Sequence, residues 1–217
     1  MLLSLAASGY LKSVYTRTSQ VPIASRMTGA QAAARILQWA GITDVQIEQG
    51  NSFLGDHYDP MNKVLVLSPE NYQGSSAANV GVAAHECGHA LQHQQHYAPL
   101  HMRMGAVYAT NFASNAVFYV VMASLYFHFI TPHAGLWLVS ICFGIIIFFN
   151  LITLPVEFDA SARAKVVLQQ LGIVRAGPEA EAVSATLNAA GLTYVAALIG
   201  AILNAAYWIF VFMNRRN

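Results

Sequence analysis

The chain reads as an α-helical integral membrane protein of about three transmembrane helices, with an N-terminal apolar segment and a small α+β domain outside the bilayer. Two observations predict the membrane part. Asp, Glu, Lys and Arg are absent between Arg103 and Glu157, and again between Glu181 and Arg215. A membrane-spanning helix takes about 20 mostly apolar residues, so the first stretch holds two spans and the second holds one. A third observation predicts the small domain: residues 17–105 carry helix caps, alternating apolar positions and turn residues instead of a continuous apolar run. Buried helices of a soluble protein rarely reach such lengths without a charge.

Residues 1–16 form the N-terminal apolar anchor. Met1 to Ala7 is apolar, but Gly9, Lys12 and Arg17 follow too soon for a full span. The segment lacks a basic start and is short for a signal peptide. It reads as an interfacial anchor or as the stump of a longer first helix. Within residues 17–105, Thr28 caps a helix over 29–40 whose Ala32, Ile36, Leu37 and Ala40 make one apolar face, and Gly41 ends it. Residues 45–49 alternate as a half-buried strand does. Residues 56–62 read as a turn, and 63–67 as a second strand stopped by Ser68 and Pro69. A long helix follows over about 76–96, capped by Ser75 or Ser76, and Pro99 bars its continuation.

Residues 106–156 are the transmembrane hairpin, with spans near 111–130 and 136–156 about a break at Thr131-Pro132-His133-Ala134-Gly135. Residues 157–192 read as two helices, 157–171 ending at Gly172 and 178–190 with Pro178 in its first turn. Residues 193–217 hold the last span, near 193–213, stopped by Asn214-Arg215-Arg216. Trp137, Tyr194 and Trp208 suit the aromatic belt at a membrane surface.

A net charge of +1 with 10% charged residues leaves no polybasic surface, which argues against nucleic acid as a partner. The expected partners are the lipid bilayer and a peptide or membrane-protein substrate. Cys87 and Cys142 are placed for no disulfide, and Cys87 reads as a packed, inert thiol.

The chemistry sits in the long helix, at His85-Glu86-Cys87-Gly88-His89. Residues four apart share a helix face, so His85 and His89 can present two imidazoles to one ion. Glu86, one residue along, can reach a metal-bound water without displacing either ligand, as a general base must. The alternative, two satisfied core histidines beside a surface glutamate, puts costly polar groups into an apolar run for no return.

A catalytic zinc takes three protein ligands and keeps one position for water. A third histidine six positions on is excluded, because that residue is Gln95, and Gln92 replaces the glycine such sites carry. His93 and His96 lie too far along a continuous helix to share the ion. A two-helix hairpin returns the chain to the face it left, so Glu157 and Asp159 emerge on the side of the histidines. Asp159 has Arg163 four residues on as an ion-pair partner. Glu157 has none and shares its face with the small residues Ala160, Ser161 and Ala164. Glu157 is therefore assigned as the third ligand, and Asp159 to an ion pair or to support behind the ligands.

Several stretches resemble a known group, the YugP-like neutral zinc metallopeptidases of bacterial membranes. They are Asp56-His57-Tyr58-Asp59-Pro60, Leu67-Ser68-Pro69 and Val80-Gly81-Val82-Ala83-Ala84-His85-Glu86-Cys87-Gly88-His89-Ala90. Gln92-His93, Tyr97-Ala98-Pro99-Leu100, Leu154-Pro155-Val156-Glu157-Phe158-Asp159-Ala160-Ser161 and Leu187-Asn188-Ala189-Ala190 continue them. The resemblance implies a membrane-embedded zinc peptidase, related more loosely to gluzincins that process membrane proteins, with a Glu on a later helix as third ligand. The family carries a fuller N-terminal span than residues 1–15 supply.

The expected function is a zinc-dependent endopeptidase with a zincin-like domain, one Zn2+ per chain held by His85, His89 and Glu157, and Glu86 as general base for the zinc-bound water. His57, Tyr58 and Tyr97 are the candidate donors to the oxyanion, and His93 stands near the site. A non-catalytic zinc-stabilised membrane scaffold has no use for Glu86. A metal-handling protein would draw on His93, His96 and His101 and place ionisable groups inside its spans, where only His128 qualifies. Lys12, Arg17, Arg103, Arg163, Lys165 and Arg175 on the histidine side outnumber Arg215 and Arg216. The positive-inside rule then expects a multi-pass protein of the bacterial inner membrane with its site on the cytoplasmic face.

Overall fold

The computed structural model describes residues 2–52, 55–127 and 129–214. Along them run α1 (Leu2–Thr18), α2 (Gly29–Trp39), β1 (Gln46–Gln49), β2 (His57–Asp59), β3 (Val64–Leu67) and α3 (Pro69–Gln73). Then come α4 (Ala77–Gln94), α5 (Ala98–Val121) with a π-helical turn at Met122–Tyr126, α6 (Pro132–Gln170) and α7 (Pro178–Asn214). His128, Arg215 and Arg216, used above for spans and orientation, lie outside the described residues.

Local chemistry sets the starts of the helices. Thr28 and Ser76 each cap their helix with a side-chain oxygen, and Gln31 and Asn79 reach back to the cap N–H groups. Ser76, not Ser75, is thus the cap of the histidine helix α4. Pro99 lies in the first turn of α5, where its missing N–H costs nothing.

The sheet order is β1-β3-β2, with β3 parallel to β1 and antiparallel to β2. Leu65 and Leu67 of β3 are fully buried while Val64 and Val66 are half-buried, as alternation requires. The turn expected over 56–62 is corrected here, because His57 to Asp59 pair with Val66 to Val64 as an edge strand. The turn shrinks to residues 60–63, closed by Asp59 accepting from the N–H groups of Met61 and Asn62.

The spans and the polar helices beside them are continuous, a second correction. Glu157 lies inside α6, and residues 178–190 run into the last span as α7. Pro155, beside the first junction, lies within α6 without ending it. Gly172, in the left-handed region at φ 64°, supplies a stop only past the end of α6. α5 likewise begins at Ala98, well before the span expected from 111.

Among the described residues three helices, covering 98–124, 133–170 and 178–214, are long and apolar enough to cross a membrane. Tyr108, Phe112, Leu203 and Phe210 are exposed on them, a surface far more apolar than a soluble monomer shows. A small core of Val121, Val139, Phe143 and Phe212 joins α5, α6 and α7. The main core packs Ile36, Leu65, Leu67, Val80, Leu168 and Leu187, and so binds α2, the sheet and α4 to the polar halves of α6 and α7. α1 runs antiparallel along α7: Thr18 hydrogen-bonds Thr186 at 2.7 Å, and Ser4 lies against Gly200.

Candidate metal centre

α4 carries the two histidines one turn apart, their rings edge to face with centroids 4.8 Å apart. α6 crosses α4 beside them. The crossing is close because Gly88 has no side chain: a Cβ there would stand 2.5 Å from the carbonyl oxygen of Ala160. One turn before Ala160, Glu157 is 2% exposed and aims its Oε2 between the imidazoles. It lies 3.2 Å from His85 Nε2 and 3.6 Å from His89 Nε2.

These separations allow a test of the donor set. Tetrahedral zinc with bonds of about 2.05 Å sets its ligand atoms about 3.3 Å apart. The carboxylate oxygen already stands at nearly that spacing from each imidazole nitrogen, and all three donor atoms lie within 4.8 Å of one another, so the set fits zinc. Burial opposes charge on His89, but its hydrogen bond to Glu157 and the nearby charge of Glu86 outweigh this and push its pKa up. The pocket favours a cation.

Groups behind each ligand fix its orientation. His85 Nδ1 meets Ser161 Oγ at 3.1 Å, which leaves Nε2 for the ion. His89 Nδ1 lies 3.0 Å from Gln92 Oε1. Gln92 is fully buried and spends both N–H groups, on the Val156 carbonyl at 2.7 Å and on Asp159 Oδ2 at 2.8 Å, so its oxygen must face the histidine. Arg163 Nε holds Asp159 from the other side at 2.5 Å. The predicted Asp159–Arg163 pair is present, and it also anchors a chain leading to His89. Arg103 of α5 donates to Glu157 Oε1 at 2.9 Å, so one carboxylate oxygen is held by the guanidinium while the other faces the histidines. Tyr194 of α7 stands beside Glu157.

A cavity of about 250 Å³ opens on this cluster, lined by His57, Tyr58, Glu86, Arg103 and Tyr194 together with the three ligand candidates. Glu86 is 8% exposed and sits at the cavity wall. The other expected residues divide. His57 lines the cavity, with Nδ1 against the Gly55 carbonyl at 2.8 Å. Tyr58 lines it too, but its hydroxyl meets His93 Nδ1 at 2.9 Å, and burial followed by the charges of Asp44 and Asp59 pushes its pKa up to about 12. His93 is thereby tied to Tyr58, outside the set of three donors, and forms ring contacts with His101. Tyr97 packs under the guanidinium of Arg163, 5.8 Å from ring centre to Cζ, and does not line the cavity. Cys87 is fully buried on the far side against Ala33, as expected, and burial pushes its thiol pKa up.

Sequence reasoning missed Arg103, Tyr194, Gln92 and Gly88. Tyr194 reads as a belt aromatic because it stands at the start of the last expected span, whereas it lines the cavity on the three ligand candidates. Arg103 left a usable signal. A buried carboxylate with no partner on its own helix needs a cation from elsewhere, and Arg103 is the last one before the charge-free stretch.

Residues 1–213 match the family model described as "Putative neutral zinc metallopeptidase". The chain is 39% identical over 215 residues to the "Putative membrane protease YugP" of Bacillus subtilis (strain 168), covering 99% of this chain and 94% of that relative. No solved structure matches the chain. A match across nearly the whole length, with His85, His89 and Glu157 converging as a zinc site requires, means that this chain belongs to the neutral zinc metallopeptidase family.

Proposed function

We propose that the protein is a membrane-embedded zinc-dependent endopeptidase. The observation that carries this reading is the placement of Glu86 in the wall of a cavity that also holds three donor atoms within 4.8 Å of one another. His85, His89 and Glu157 would hold one zinc per chain. Zinc, when bound, acidifies a water towards pKa of about 7 and polarises the scissile carbonyl.

Glu86 takes the proton from the attacking water and passes it to the leaving amine. Gln92 and Ser161 keep the imidazoles in the tautomer that leaves Nε2 for the metal. Arg103 holds Glu157 in its rotamer. Tyr194 donates its O–H to the oxyanion as charge develops there. β2 pairs with β3 along one edge, and Asp56, His57, Tyr58 and Pro60 bring it to the cavity. The substrate backbone adds along its other edge as an extended strand. The excess of cations on the histidine side supports a cytoplasmic-face site in a bacterial inner membrane.

The test is zinc content and hydrolysis of an unfolded membrane protein in detergent. Glu86→Gln keeps zinc and loses cleavage, whereas Glu157→Ala loses both. Tyr194→Phe keeps zinc and lowers kcat by about 100- to 1,000-fold. Undiminished turnover in Glu86→Gln would refute the mechanism.

A further inference from the structure

The metal site opens on a second side. A cavity of about 490 Å³ lies between α1, α4 and α7. Asp56, His85, Glu86 and Tyr194 line it and also line the smaller cavity toward β2, so the two are adjoining chambers with the reacting groups between them. Whatever fills the larger chamber lies beside the attacked bond.

Its wall is mostly apolar: Leu11 and Tyr15 from α1, Val82 from α4, and Leu187, Ala190 and Tyr194 from α7. The polar groups deep in the wall are already engaged. Tyr15 donates to Asn71 Oδ1 at 2.7 Å, and Asp56 accepts from Ser68 and Asn71. Thr186 pairs with Thr18. Lys12 and Gln20 stand exposed at the rim. A volume in the usual range of ligand pockets, with spent polar groups and an apolar lining, favours an apolar occupant.

We propose that this chamber is the subsite for a large apolar side chain on one fixed side of the scissile bond, an inference that rests on the peptidase reading. It lies against residues 186–194 of α7, inside that helix's charge-free run, with α1 as the outer wall. The substrate class is therefore polypeptide carrying Leu, Ile, Phe or Met beside the cleaved bond, as in an unravelled membrane-protein segment. Ala190 sets the width, because its small side chain is half-buried in the wall.

The experiment sequences the products cut from an unfolded membrane protein by the zinc-loaded enzyme in detergent, and measures binding of a leucyl and an aspartyl peptide hydroxamate to zinc-loaded Glu86→Gln. Wild type is expected to favour large apolar residues at one position by at least about tenfold over Ala. Ala190→Phe, with zinc content unchanged, moves the preference to Gly, Ala and Ser. Leu192→Phe, on the exposed side of α7, leaves it unmoved. Cleavage without an apolar preference, or a profile that Ala190→Phe does not move, overturns the subsite and leaves the peptidase standing. Preferential leucyl binding that Ala190→Phe abolishes, in a protein that cleaves nothing, keeps the subsite and refutes the peptidase. A lipid retained by wild type and lost from Ala190→Phe, with cleavage unmoved, assigns the chamber to an acyl chain and overturns the proposal.

Discussion

Gly88→Ala adds one methyl group at the point where α4 and α6 touch, and it tests whether that contact positions the metal ligands. The new Cβ would lie 2.5 Å from the Ala160 oxygen, 2.9 Å from its Cα and 3.0 Å from its carbonyl carbon. All three are backbone atoms, so no side chain can swing aside. A carbon–oxygen contact relaxes at about 3.3–3.6 Å, so the helices must part by roughly 0.8–1 Å. Glu157 lies one turn from Ala160 and moves with it, while His85 and His89 stay on α4. Metal-ligand distances tolerate only about ±0.2 Å, so the displacement is several times what the site can absorb. Fold stability changes little by comparison: overpacking costs about 1–3 kcal/mol, and replacing a mid-helix glycine by alanine returns about 1 kcal/mol. The expected outcome is a folded protein whose zinc affinity has fallen by at least about 10- to 100-fold, the loss usual when even the groups behind a ligand are disturbed. Competition with a chromophoric chelator in detergent measures it, beside thermal unfolding of the metal-free protein. Gly81→Ala is the control, since its Cβ would meet a Val183 methyl at 3.4 Å. A Gly88→Ala protein that binds zinc with wild-type affinity would refute the reasoning.

Two further outcomes follow from the same geometry. Gln92→Leu removes the acceptor that orients His89 and leaves the Val156 carbonyl without its donor, so zinc affinity should fall by about 10- to 100-fold while His89 remains, as chelator competition would show. Cys87 should resist alkylation at pH 8 in the folded protein and react on unfolding, since burial holds its proton. Because the folded thiol keeps that proton above the ordinary thiol value of about 8.5 while the unfolded chain releases it, stability falls as pH rises past that point. Stoichiometric modification of Cys87 in the native state, read by mass spectrometry, would contradict the packing described.

Much of the site was legible in the sequence because its signals are local or nearly so. The spacing of His85 and His89 is a helix period. Glu157 followed from a count of spans and from its lack of a partner four residues on. Asp159–Arg163 was a plain helical pair. The edge strand β2 was not legible, since three residues beside an Asp-Pro turn carry no periodicity; only their pairing with β3 makes them a strand. The continuity of α6 was obscured by Pro155, which normally argues for a boundary but here lies inside the helix.

The sequence by itself determined the three helices long and apolar enough to cross a membrane, the helix that carries His85 and His89, its cap region and the three candidate donor residues, because charge, apolar run length and helical spacing act along the chain. Only the tertiary structure decided which groups stand behind and around those donors. Arg103 and Tyr194 reach Glu157 from α5 and α7, and Gln92 reaches back to α6. Gly88 matters only because another helix lies against it. These relations depend on where long helices cross, and a crossing is set by the packing of whole faces, which no stretch of sequence states alone.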